Sequence, residues 1–200
     1  MSTPVNTAEL KIASIQMVST PDLQENLSTA SRLVAAAAID GAQLAVLPEY
    51  FCLMGLKDTD KVRAREGFGR GPIQEQLSHI AKENKLYLVA GTIPLAAQDP
   101  NKVLNTTLVY DPSGRQISRY DKIHLFGFQT NTERYQESET IEAGNQPGLL
   151  KISVNGHDWT FGLSICYDLR FPALFEALGQ ARCDAIAIPA AFTRPTGAAH

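Results

Sequence analysis

Two short apolar runs, Leu44-Ala45-Val46-Leu47 and Ala185-Ile186-Ala187-Ile188, each stop at a proline, Pro48 and Pro189. A strand that is apolar at every position must be covered on both faces. Proline has no N–H for the ladder, so each run ends where it stands. Helical patterns lie between the strands. Thr20-Pro21-Asp22 reads as an N-cap, a proline at the first helical position and an acid in the first turn. Leu23, Leu27, Ala30, Val34, Ala37 and Ala38 then recur at helical spacing up to Gly41. Pro72 opens a second helix with Ile73, Leu77, Ile80 and Ala81 as its buried stripe, and Phe171-Pro172 opens a third through Leu174, Phe175 and Leu178. Covered strands alternating with helices predict a layered α/β fold.

The remaining segments fill in this frame. Residues 11–18 read as a buried strand and residues 87–91 as another. Asp111-Pro112-Ser113-Gly114 turns a hairpin between 106–110 and 116–120, and Asn155-Gly156 turns a second between 150–154 and 159–165. Residues 126–148 show no periodicity and read as a long surface loop.

Composition narrows the function classes. The chain has 200 residues, 44% hydrophobic and 20% charged. That suits one domain, residues 10–200, behind a flexible segment 1–9. A net charge of −3 argues against nucleic acid or an anionic membrane as partner. Residues 1–7 carry no basic segment and no long apolar stretch, so they are not expected to be a signal peptide, and no apolar run of ~18 residues suggests a bilayer span. Cys52, Cys166 and Cys183 cannot all pair and form no Cys-x-x-Cys motif, which points to a reducing compartment and a cytoplasmic location. The histidines lack ligand spacing, so no metal and no cofactor are expected. Gly67-Phe68-Gly69-Arg70-Gly71 lacks the Lys-Ser/Thr end of a phosphate loop.

Three side chains stand at strand ends. Cys166 follows the apolar run 159–165 and precedes a helix, an address that exposes a nucleophile and offers backbone N–H groups to an oxyanion. A buried core thiol is the alternative at that position. Glu49 hangs off the run that ends at Pro48, at the sheet edge where α/β proteins bind ligands. Tyr50 and Phe51 beside it would desolvate the carboxylate and raise its pKa, unless it is an ordinary loop acid. Lys122 follows the strand 117–120 and is either paired or snorkelling.

The runs Leu47-Pro48-Glu49-Tyr50, Tyr120-Asp121-Lys122-Ile123-His124-Leu125-Phe126 and Gly162-Leu163-Ser164-Ile165-Cys166-Tyr167-Asp168-Leu169-Arg170-Phe171-Pro172 together resemble the three signatures of the carbon–nitrogen hydrolase (nitrilase) superfamily, in the family's order. The resemblance covers nearly all the chain. It implies a four-layer αββα sandwich. Relatives continue several dozen residues past the position of His200, so the C-terminal part is expected to be missing, leaving apolar surface and a sheet edge open. Cys166-Tyr167-Asp168 differs from the Cys-Trp-Glu of true nitrilases and is similar to the amidase branch with omega-amidase and deaminated glutathione amidase.

The resemblance assigns roles. Glu49 is the base that makes the Cys166 thiolate, and Lys122 with the Tyr167 backbone N–H holds the oxyanion. A second glutamate supports the lysine; Glu137 fits best, with Glu133 and Glu139 as alternatives. Substrates of this branch carry a carboxylate. Arg170 occupies the position that binds it in related carbamoylases, with a structural ion pair to Asp168 or a loop acid as the rival role. The tail 191–200 resembles the same branch, which places Phe192 and Thr193 against the substrate. The implied partner is a small-molecule amide, within a homo-oligomer. A carbamoylase or nitrilase reaction, or a non-catalytic interaction protein, are the competing functions. His124 could support the site, and Cys52 either lines it or packs; Cys183 reads as structural.

Overall fold

Strand β1 (Ile12–Ser14) pairs in parallel with β2 (Leu44–Val46), and helix α1 (Leu23–Ile39) joins them. The computed structural model describes residues 8–129, 134–193 and 197–198. Helices α2 (Asp60–Arg63) and α3 (Pro72–Asn84) lead to β3 (Tyr87–Val89), parallel to β2. Strands β4 (Ile93–Ala96), β5 (Val103–Tyr110) and β6 (Gln116–Asp121) complete this first sheet, with β5 antiparallel to β3, β4 and β6. A ribbon, β7 (Gly127–Gln129) and β8 (Arg134–Gln136), follows. The second sheet has β9 (Gly148–Val154) and β10 (His157–Leu163) as a hairpin, helix α4 (Pro172–Gln180), and β11 (Ala185–Ala187) parallel to β10.

Side-chain alternation sorts these elements into four layers. Ala45, Leu88 and Leu108 face one core with Leu27, Ala30 and Val34 of α1 and Ile73, Leu77 and Ile80 of α3. Their neighbours Leu44, Val89 and Val109 point the other way, into a second core with Leu150, Ile152, Phe161 and Leu163 of the second sheet. Each fully buried Leu or Ile there contributes about 2 kcal/mol. On the outer face of β10, Gly162 leaves room for α4: a Cβ would stand 2.8 Å from Leu178 Cδ1. The order helix, sheet, sheet, helix is the four-layer α/β sandwich anticipated from the motifs.

Three local expectations are corrected. The cap of α1 is Asp22, which accepts from the Gln24 and Glu25 N–H groups, so the helix begins two residues later than Thr20-Pro21 suggests. Thr20 is instead held by Asn26, whose amide also reaches the Cys52 carbonyl. Strand β1 is short and lies at the end of the sheet, with Ile12 44% exposed, so it is not the buried strand expected over 11–18. Segment 126–148 is not a plain surface loop: it carries β7, β8 and a 3-10 turn at Glu137–Glu139 whose first residue is buried. The loop before α3 also contains α2, and the Glu66 carboxylate caps α3 through the Ile73 and Gln74 N–H groups (2.6 and 3.1 Å). A carboxylate already occupies that helix end, which agrees with the glycine-rich segment 67–71 not cradling phosphate.

The expected flexible segment 1–9 lies outside the described residues up to residue 7. Among the described residues no helix is long and apolar enough to cross a membrane.

Candidate active site

Glu49, Lys122 and Cys166 each leave the end of a strand, β2, β6 and β10, where the two sheets meet. The turn after β2 needs a bare backbone beside it. Gly91 has φ +49, and a Cβ there would fall 2.1 Å from the Pro48 carbonyl oxygen. Gly91 also breaks β3 from β4, which otherwise run on along β5 (Val89 opposite Val109, then Ile93 opposite Thr106). Thr92 Oγ1 accepts the Tyr50 N–H at 2.9 Å, and Tyr50 itself takes a left-handed backbone, φ +55. These contacts aim Glu49 inward, where it is 2% exposed.

Lys122 is 1% exposed and does not snorkel. Its Nζ lies 2.9 Å from Glu49 Oε1 and 3.0 Å from Glu137 Oε2. Of the three candidate supporting glutamates, Glu137 is the one at the lysine. Glu139 is exposed and pairs with Arg134 at 3.1 Å, and Glu133 lies outside the described residues. Glu137 is fixed by the Tyr50 hydroxyl (2.8 Å) and the Phe126 N–H (2.7 Å). Burial alone would lower the lysine pKa; the two carboxylates outweigh it and hold the ammonium charged well above its usual range.

Glu49 receives two further donors, the Asn105 amide on Oε1 (2.9 Å) and the Ala191 N–H on Oε2 (3.1 Å). Burial nonetheless raises its pKa, with Lys122 opposing and Glu137 adding to the rise. A raised carboxylate near a thiol is suited to take and return a proton.

Cys166 sits at φ +48, a left-handed conformation that a non-glycine residue adopts at a cost of order 1–3 kcal/mol. Its N–H donates to the Pro189 carbonyl at 2.9 Å, tying the turn to the end of β11. The thiol is pushed up to about 12, first by burial and then by Glu49, while Lys122 and the Ala191 N–H pull it down. Burial and Glu49 thus favour the neutral thiol over the thiolate.

The other candidates scatter. Tyr167, half-buried, packs edge-on against Phe126 and Phe171. Arg170 is exposed at the far end of the 3-10 turn Cys166–Arg170. Phe192 packs on the second core and Thr193 is exposed. Cys52 packs in the first core with its thiol on the Thr92 carbonyl (3.6 Å), and Cys183 lies beside the second core. His79 Nε2 lies 3.0 Å from Glu83 Oε1 on the surface of α3. Among the described residues no cluster of His, Cys, Asp and Glu could hold a metal.

Sequence reading missed Asn105 and Lys61. Asn105-Thr106-Thr107 is a buried polar triplet inside an otherwise apolar strand, and that anomaly was a usable signal. Lys61 lies half-buried with Nζ 5.6 Å above the Tyr50 ring, and burial lowers its pKa against nearby acids. Nothing in the pattern of α2 marked it.

The carbon-nitrogen hydrolase family model matches residues 11–200. A deaminated glutathione amidase of Synechocystis sp. (strain PCC 6803 / GT-S) is 36% identical over 191 residues, covering 94% of this chain and 68% of that protein. The omega-amidase NIT2 of Xenopus tropicalis is 34% identical over 195 residues, covering 96% of this chain and 67% of its own length. Saccharomyces cerevisiae Nit3, described as a member of branch 10 of the nitrilase superfamily, superposes with a TM-score of 0.79 at 29% identity over 96% of this chain and 68% of that one. An amidase from Nesterenkonia sp. gives 0.76 at 26% identity, over 92% of this chain and 65% of that one. Sequence, fold and the residues drawn together at the strand ends agree: the chain belongs to the carbon–nitrogen hydrolase family.

Proposed function

We propose that this protein hydrolyses the C–N bond of a small carboxylated amide through a thioester on Cys166. One observation carries the reading: a buried lysine held between two buried carboxylates, with a strained cysteine beside it. In the first step the Cys166 thiol gives its proton to Glu49 as sulfur bonds to the amide carbon. Lys122 and the Tyr167 N–H hold the oxyanion. Glu49 passes the proton to the nitrogen, the C–N bond breaks and ammonia leaves. A water then gives a proton to Glu49 and attacks the thioester, which releases the acid and restores the thiol. Glu137 keeps Lys122 charged and in place throughout. The proposed steps call on these side chains, one backbone N–H and a water.

The carboxylated substrate class follows the names of the similar amidases, and Arg170 is its reader in this proposal. Lys61 is a second cation on the Tyr50 side of the site. The test is ammonia release from glutaramate, butyramide, a carbamoyl amino acid and a simple nitrile, with Cys166→Ala in parallel. Glutaramate should be preferred, and a trapped adduct should add the acyl mass to Cys166. Ammonia from the nitrile alone, or equal turnover by Cys166→Ala, would refute the proposal. The protein is proposed to act in the cytoplasm as a homo-oligomer, which sedimentation would check.

A further inference from the structure

Asp168 has no exposed surface. It is not part of the Glu49, Lys122 and Glu137 cluster, yet its carboxylate is fully bonded. Oδ1 accepts the His124 backbone N–H at 3.0 Å and lies 2.7 Å from His124 Nδ1. Oδ2 accepts the Tyr120 hydroxyl at 2.7 Å and the Ile165 N–H at 2.9 Å.

These partners come from two segments. Tyr120 and His124 stand two residues before and two residues after Lys122. The strand runs to Asp121, the Lys122 N–H still donates to the Asn105 carbonyl at 3.0 Å, and the chain bends at His124. Tyr120 and His124 thus flank the lysine on both sides of the strand end. Ile165 is the residue before Cys166, and Asp168 belongs to the turn that Cys166 begins. The same two segments are joined again by the His124 ring, which stacks on Phe171 at 3.7 Å and 9°.

We infer that Asp168 is a positioning residue: it ties the segment that delivers Lys122 to the turn that delivers Cys166. The inference rests on the amide-hydrolysis reading above for its kinetic consequence, though not for its geometry. Lys122 is held at its ammonium by Glu49 and Glu137, and Glu49 also bonds the Cys166 thiol. Asp168 adds a separate tie, through the chain segments that carry the lysine and the cysteine. Asn at 168 would turn an N–H2 toward donors and strand a buried one. Phe at 120 removes a single donor and leaves the carboxylate in place.

The test compares Asp168→Asn and Tyr120→Phe with the parent chain. Glutaramate turnover should fall about tenfold to a hundredfold in kcat for Asp168→Asn, the loss of hydrogen bonds to a charged group, and less for Tyr120→Phe. KM should stay within about twofold, because the binding groups are untouched. Iodoacetamide labelling of Cys166, followed by intact mass, should slow severalfold as Lys122 drifts from the sulfur. In a Lys122→Met background the Asp168→Asn change should then slow labelling no further. An equal slowing in both backgrounds, or parental kcat in folded Asp168→Asn, would overturn the inference. If the parent chain hydrolyses no amide at all, the proposed function fails, and the labelling pair still decides the role of Asp168.

Discussion

Cys52 and Cys166 are both buried, and burial pushes both thiols up to about 12. Titration alone would not tell them apart. Their surroundings do. Cys52 rests its sulfur on the Thr92 carbonyl inside an aliphatic core. Cys166 stands on a left-handed turn beside a carboxylate that can take its proton and an ammonium that can hold the charge formed next. The proposed nucleophile is set apart by its partners and not by the acidity of its thiol.

The strongest way to break the contrast is to remove each sulfur in turn. Cys166→Ala should cut amide turnover by about four to six orders of magnitude with little change in Tm. Cys52→Ala should leave kcat near the parent value and cost about 1–2 kcal/mol in chemical denaturation, the usual size for a small core cavity. Comparable activity losses in the two variants would erase the distinction.

Next in size is Glu49→Gln. Amide turnover should drop by about two to four orders of magnitude through loss of the base. Iodoacetamide labelling of Cys166 should move the other way and rise about tenfold, because a carboxylate that repels the thiolate is gone while Lys122 stays. Cys52 should label no faster in that variant.

A pH series sharpens the same point. With its thiol near 12, Cys166 is protonated throughout the neutral range, so labelling should climb about tenfold per pH unit from about 7 to 9. A plateau near pH 7 would mean a resting thiolate. Cys52 labels only as fast as its core opens.

The smallest effect concerns substrate choice. Arg170→Ala should raise KM for glutaramate about tenfold and leave butyramide unchanged. If Lys61→Met produces that shift instead, the carboxylate is read on the Tyr50 side of the site.

What could be read from the sequence was whatever has a local signature. Strands ended by Pro48 and Pro189, the Pro72 and Pro172 helix starts and the Asn155-Gly156 hairpin each depend on neighbours in the chain, and they stand as expected. Glu49, Lys122 and Cys166 were legible because all lie just past strand ends. The ribbon β7–β8 was not, because its strands are three residues each and its sheet has no apolar alternation. The Asp22 cap was misplaced because Thr20 and Asp22 compete for one role, and the winner depends on Asn26 reaching back to Thr20. Asp168 was noticed only as a neighbour of Cys166 and a possible ion-pair partner of Arg170. Its partners Tyr120 and His124 lie more than forty residues away, and no local pattern reports a contact of that span.

The lysine clamp has one more consequence. With both carboxylates ionised, Glu49 and Glu137 bring two negative charges and Lys122 one positive, so the cluster sums to minus one where little water enters. The amide group to be cut is itself neutral and meets no net repulsion there. In the proposed reaction the acid that forms on the same carbon is an anion facing that surplus. In that proposal the surplus speeds release of the acid, an effect on the rate of turnover and not on its equilibrium.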